Sequence, residues 1–80
     1  MRVSIIVDDK TVVVDGVGVA LKSGWPTTSG DIWAYQWYDD NGEIEYRTPG
    51  TAHGTFTDIS IIQPYIDAHN DAIVAMASTD

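Results

Sequence analysis

Eighty residues leave room for one small domain, and a chain of this size buries only about 60–65% of its unfolded surface. It has no cysteine, which excludes disulfides and thiolate metal sites, and with only His53 and His69 a zinc site would have to borrow carboxylates. Four Lys/Arg against twelve Asp/Glu give a net charge of −8, and the cations Arg2, Lys10, Lys22 and Arg47 stand singly. That pattern argues against binding to nucleic acid or to an anionic membrane.

A hydrophobic content of 44%, with 10% aromatic residues, argues for a folded domain rather than a disordered one. Small domains without disulfides or metals lean on a partner chain, and an acidic protein suits a basic partner. No window approaches the ~18 apolar residues of a membrane span. The opening run from Met1 to Val7 stops at Asp8-Asp9 and lacks the length of a signal peptide. The expectation is a soluble, intracellular protein.

Val3, Ile5 and Val7 alternate with Arg2, Ser4 and Ile6, and Thr11-Val12-Val13-Val14 resumes a β-branched strand after the turn formers Asp8-Asp9-Lys10. Asp15-Gly16 predicts a two-residue turn of type I′, which needs positive φ at both positions. Val17-Gly18-Val19-Ala20-Leu21 follows as a third strand, with Gly18 a candidate bulge. Residues 22–30 read as a loop that carries Trp25. This indole has two readings: a cap over one end of the core, or an anchor into a partner's pocket.

The densest segment is Asp31-Ile32-Trp33-Ala34-Tyr35-Gln36-Trp37-Tyr38, followed by Asp39-Asp40-Asn41-Gly42 and Glu43-Ile44-Glu45-Tyr46-Arg47. It predicts a β-hairpin. A two-residue Asn-Gly turn would pair Trp37 with Tyr46, and a four-residue loop would pair Trp37 with Ile44. Either choice puts Trp33, Tyr35, Trp37, Ile44 and Tyr46 on one face, taken as the core face.

After a polar loop at 48–57 the period changes. Ile59, Ile62, Ile66, His69, Ile73 and Met76 form one helical stripe. Ser60 or Asp58 can cap the start, Pro64 falls within or just past the first turn, and Asp67, Asn70 and Asp71 face water. The fold class is therefore α+β: an antiparallel meander of four or five strands over residues 1–48, with one C-terminal helix over 58–77 laid across one face. The expected core is Val3, Ile5, Val12 or Val13, Trp33, Tyr35, Trp37, Ile44, Tyr46, Ile62, Ile66 and Ile73.

Chemistry is sparse. His69 lies on the apolar stripe, and His53 sits in a Gly/Thr loop with no acid beside it in sequence. Glu43 and Glu45 share a strand face, but Gln36 and Arg47 share it too, as on a solvated surface. The run from Asp39 to Ile44 resembles a calcium loop only until Gly42 is placed at the obligatory glycine. Trp37 and Thr48 would then hold the terminal ligand positions, and neither can serve. No phosphate-cradling loop, catalytic triad order or metal spacing is present. The reading is of a non-enzyme with no cofactor.

Four strings remain: Val14-Asp15-Gly16-Val17; Ile32-Trp33-Ala34-Tyr35-Gln36-Trp37-Tyr38; Gly42-Glu43-Ile44-Glu45-Tyr46; and Ile62-Gln63-Pro64-Tyr65-Ile66-Asp67-Ala68. Together they resemble a group of small bacteriophage proteins encoded beside tail-fibre genes, in the manner of tail-fibre assembly chaperones. That family carries a VDG, an IHAxQWY, a GExEY and a final helix opening on an apolar-Gln-Pro segment. This chain differs at Trp33, where a His is common, and at His69, where a large aromatic is expected.

The resemblance implies a protein that binds the phage tail-fibre polypeptide, in several copies per fibre trimer, and assists its folding in the host bacterial cytoplasm. The alternatives are a structural component kept on the virion tail or fibre, and an inhibitor of a host protein. For the partner surface, Trp25, Ile61, Tyr65 and Val74 are the expected anchors, ahead of an unpaired sheet edge.

Overall fold

The computed structural model of the chain describes residues 1–21, 24–26 and 30–77. Among these residues six strands form one antiparallel sheet: β1 (Arg2–Ile6), β2 (Thr11–Val14), β3 (Val17–Ala20), β4 (Ile32–Tyr38), β5 (Asn41–Tyr46) and β6 (Gly54–Phe56). A 3₁₀ turn at Ile59–Ile61 leads into helix α1 (Gln63–Ala77). The class is α+β as expected, with six strands in place of four or five.

The sheet is not one continuous meander. Its order, β3-β2-β1-β4-β5-β6, sets two three-stranded meanders side by side and joins them along β1 and β4. The connection from β3 therefore returns from an edge to the middle. Trp25 lies on this return, beyond the reach of either hairpin pattern.

Local chemistry accounts for the turns. Asp15 and Gly16 have φ of 48° and 86°, as the type I′ turn between Val14 and Val17 requires. In the β4–β5 hairpin the turn falls on Asp39-Asp40, not on Asn41-Gly42, so Tyr38 pairs with Asn41 and Trp37 with Gly42. Neither pairing expected from the sequence is formed. Asp39, with φ of 55°, takes the left-handed position that short polar side chains tolerate. Gly42 is needed elsewhere: a Cβ there would lie 2.5 Å from the Phe56 ring and 2.8 Å from the Gln36 carbonyl. The slip spans an even number of residues, so Tyr35, Trp37 and Ile44 keep one face.

Phe56 also explains the sixth strand. The stretch 48–57, expected as loop, holds β6, which pairs Gly42 with Phe56 and Ile44 with Gly54. One buried phenylalanine carries it.

The core contains Val3, Ile5, Val12, Tyr35, Trp37, Ile62 and Ile66, together with Val19, Leu21, Phe56 and Tyr65. Ile44 and Ile73 pack against it half-buried. Tyr46 is half-buried, its ring over Gly54. Trp33 leaves the set. The β4–β5 register shifts between Ile32 and Ala34, Trp33 is the extra residue, and it stands 37% exposed while Ile32 packs against the core. A bulge of this kind defeats a period-two count.

The helix begins at Gln63 rather than near residue 58. Asp58 instead caps the 3₁₀ turn by accepting the Ser60 N–H at 2.9 Å. Pro64 follows as the second helical residue, where a missing N–H costs little. The helix lies over β2 and β3. Of its stripe, Ile62, Ile66 and His69 are buried, whereas Met76 is 58% exposed.

Candidate interaction surface

The four expected anchors do not form one patch. Tyr65 is only 3% exposed, and Trp25 packs on it edge-to-face at 5.2 Å between ring centroids. From there Tyr65 meets Tyr35 at 5.5 Å, Tyr35 meets Phe56 at 6.2 Å, and Phe56 meets Trp37 at 5.4 Å. Trp25 thus ends a run of five rings through the core, the cap of the two readings. Ile61 and Val74 are exposed, Val74 at 65%. Nine helical residues separate Tyr65 from Val74, two and a half turns, which sets them on opposite sides of α1.

The indole N–H groups of Trp25 and Trp37 are buried without an acceptor among the described residues. Burial raises the Tyr35 hydroxyl to about 12, assisted by the neighbouring Tyr65 and Tyr46 phenols.

His69 is buried, and its Nε2 lies 2.7 Å from the Val17 carbonyl. That nitrogen therefore carries the proton and donates it. The bond ties α1 to the edge strand, where a phenylalanine would offer only packing. His53 Nδ1 lies 3.6 Å from a Glu43 carboxylate oxygen, with both side chains exposed. Arg47 forms a two-pronged pair with Asp8 and donates to the Gly30 carbonyl at 2.9 Å. The Arg47 hydrogen bond holds the Asp8 carboxyl below its usual range. Among the described residues no group of three or more His, Asp or Glu side chains could hold a metal ion.

What remains is the second face of the sheet. Among the described residues no element lies over it: the helix and Trp25 pack on the first face. Register places Gly18, Ala20, Thr11, Val13, Ser4, Ile6 and Gln36 on it across β3, β2, β1 and β4, together with Ala34, which is fully buried. All are uncharged. Ser4 Oγ donates to Gln36 Oε1 at 2.6 Å, which ties the two central strands across this face. At one end the Arg2 guanidinium lies 4.9 Å over the exposed Tyr38 ring; at the β5 side stand Glu43 and Glu45.

A charge-poor centre with Tyr and Arg beside it and acids at the margin is the make-up of a protein-binding surface. The β4–β5 part of this face, with Gln36, Glu43, Glu45 and Arg47, reads from the sequence as a solvated surface. The missing signal was the absence of charge at Ser4, Ile6, Thr11 and Val13, whose neighbours only the β1–β4 pairing reveals. No helix among the described residues is long and apolar enough to cross a membrane. The chain matches no family model, no curated protein and no solved structure.

Proposed function

We propose that this protein is a binding module of a bacteriophage tail, a chaperone that holds the tail-fibre polypeptide during folding and assembly in the host cytoplasm. The observation that carries a binding role is the second sheet face, over which no element lies among the described residues, uncharged from Gly18 to Gln36 and flanked by Arg2 and Tyr38. The tail-fibre assignment rests on the resemblance of the four sequence strings. Their residues serve the fold: Asp15-Gly16 is a turn, Gly42 seats Phe56, and Gln63-Pro64 opens the helix.

In this reading the partner sits on the face around Tyr38, because Trp25 and Tyr65 are occupied in the core. The acids at the margin set approach and orientation more than affinity. Co-expression with the tail-fibre polypeptide should yield a complex that Tyr38→Ala weakens by roughly tenfold or more, with the circular dichroism spectrum unchanged. A variant that binds as the parent does would move the contact elsewhere. Mass spectrometry of purified virions separates the two tail roles: a chaperone should be absent or far below fibre stoichiometry, and a structural component present at it.

A further inference from the structure

Among the described residues no strand or loop pairs with the outer side of edge strand β3. Native sheets blunt their edges with charges, prolines, bulges or very short strands. Val17-Gly18-Val19-Ala20 has no charge and no proline, and its register with β2 runs unbroken. The opposite edge, β6, is only three residues long. The Leu21 N–H donates to the Lys10 carbonyl at 2.8 Å, which fixes the alternation along the ladder. Val19 and Val17 then bond to β2, while Gly18 and Ala20 turn their N–H and C=O groups outward.

We propose that β3 is a dimer interface, at which two copies of this chain pair edge to edge, antiparallel, about a two-fold axis at Val19. This goes beyond the tail-fibre reading and does not depend on it. Most soluble oligomers are homo-oligomers, and their commonest contact is one patch meeting itself across a two-fold. The β3 edge is self-complementary in that way. Gly18 faces Ala20 of the partner subunit, and each pair exchanges both of its main-chain hydrogen bonds.

Charge favours the same arrangement. Asp15 stands at one end of β3, and Lys10 stands beside the other end, next to Leu21. Antiparallel pairing sets the acid end against the basic end, whereas parallel pairing would set like against like. For two chains of −8 each, an uncharged edge is also where approach meets least repulsion.

The layer between sheet and helix is open on this side too. Val17 shares the core face with Val12 and Val14, yet it is 51% exposed. His69 pins the helix to Val17, and Met76, two turns further along the same stripe, is 58% exposed. The partner's edge supplies the cover.

Sedimentation of the full chain over a wide concentration range tests this. A dimer is expected, tighter in high salt because screening relieves repulsion between like net charges. Ala20→Pro removes only an outward N–H, at a position where an edge strand tolerates proline. It should weaken the dimer roughly tenfold to a hundredfold, as loss of two symmetry-related hydrogen bonds requires, with the circular dichroism spectrum kept. Should Ala20→Pro fail to fold, Val19→Cys decides the matter: the chain has no other cysteine, and oxidation should link two copies at the axis. A monomer at every concentration, a dimer untouched by Ala20→Pro, or a Val19→Cys chain that stays single on oxidation would each overturn the proposal. So would a monomer whose Ala20→Pro variant drops the fibre polypeptide, which would give the edge to a strand of that partner instead.

Discussion

The two halves of the sheet solve the same problem in different ways. Strands β1–β3 present small aliphatic side chains, Val3, Ile5, Val12 and Val19, and are closed by a separate element, the helix. Strands β4–β6 present Tyr35, Trp37 and Phe56, large enough to close over one another, with a glycine beneath the Phe56 ring. Aliphatic strands need a lid from elsewhere in the chain. Aromatic strands can carry part of theirs with them, provided the partner strand leaves room.

The largest test of that contrast is Trp37→Ala, which opens a hole among interlocked rings. It should destabilise the domain by roughly 3–5 kcal/mol, most of what a chain this size has, as read by urea denaturation. A loss below about 1 kcal/mol would show that the rings do not depend on each other.

Glycines sharpen the comparison. Gly42→Ala drives a methyl group into Phe56 and the Gln36 carbonyl, and should cost about 1–3 kcal/mol. At Gly18, in the aliphatic half, a Cβ meets only a Val13 methyl at 3.5 Å, and Gly18→Ala should be close to neutral. Combining Gly42→Ala with Phe56→Ala should cost less than the two single changes added, because they disturb one contact.

A further effect appears only in alkali. With its folded pKa near 12 against an ordinary value of 10.0, the Tyr35 hydroxyl favours the fold in its neutral form. That contribution is complete below pH 10 and fades as the pH climbs toward 12. Tyr35→Phe should flatten this alkaline loss in a plot of melting temperature against pH; an unchanged slope would place the titration elsewhere.

Much of this was legible in the chain, and the reason is parity. Alternation placed Tyr35, Trp37 and Ile44 on one face even though the β4–β5 turn lies elsewhere than expected, because the slip was even. Where parity itself breaks, at the Ile32–Ala34 bulge, Trp33 was misplaced, and no residue type announces that bulge. Phe56 was hidden for another reason: a three-residue strand with one apolar side chain has no period to detect. Trp25 and Tyr65 read as anchors because one lies in a loop and the other off the helical stripe, yet each is the other's partner through contacts distant in sequence. The uncovered face was invisible for the same reason, since it exists only once β1 meets β4.

The β1–β4 seam also orders events in time. All the other ladders close a short hairpin or a nearby return, but this one brings together strands from the two halves of the sheet. Closing the loop of about 28 residues between Ile6 and Ala34 costs about 1.5 kcal/mol more in entropy than closing the one between Ile6 and Thr11. Each three-stranded half can therefore begin forming from its own local contacts, and the search that limits folding is for the central pair. The middle of the finished sheet is the last part of it to be joined.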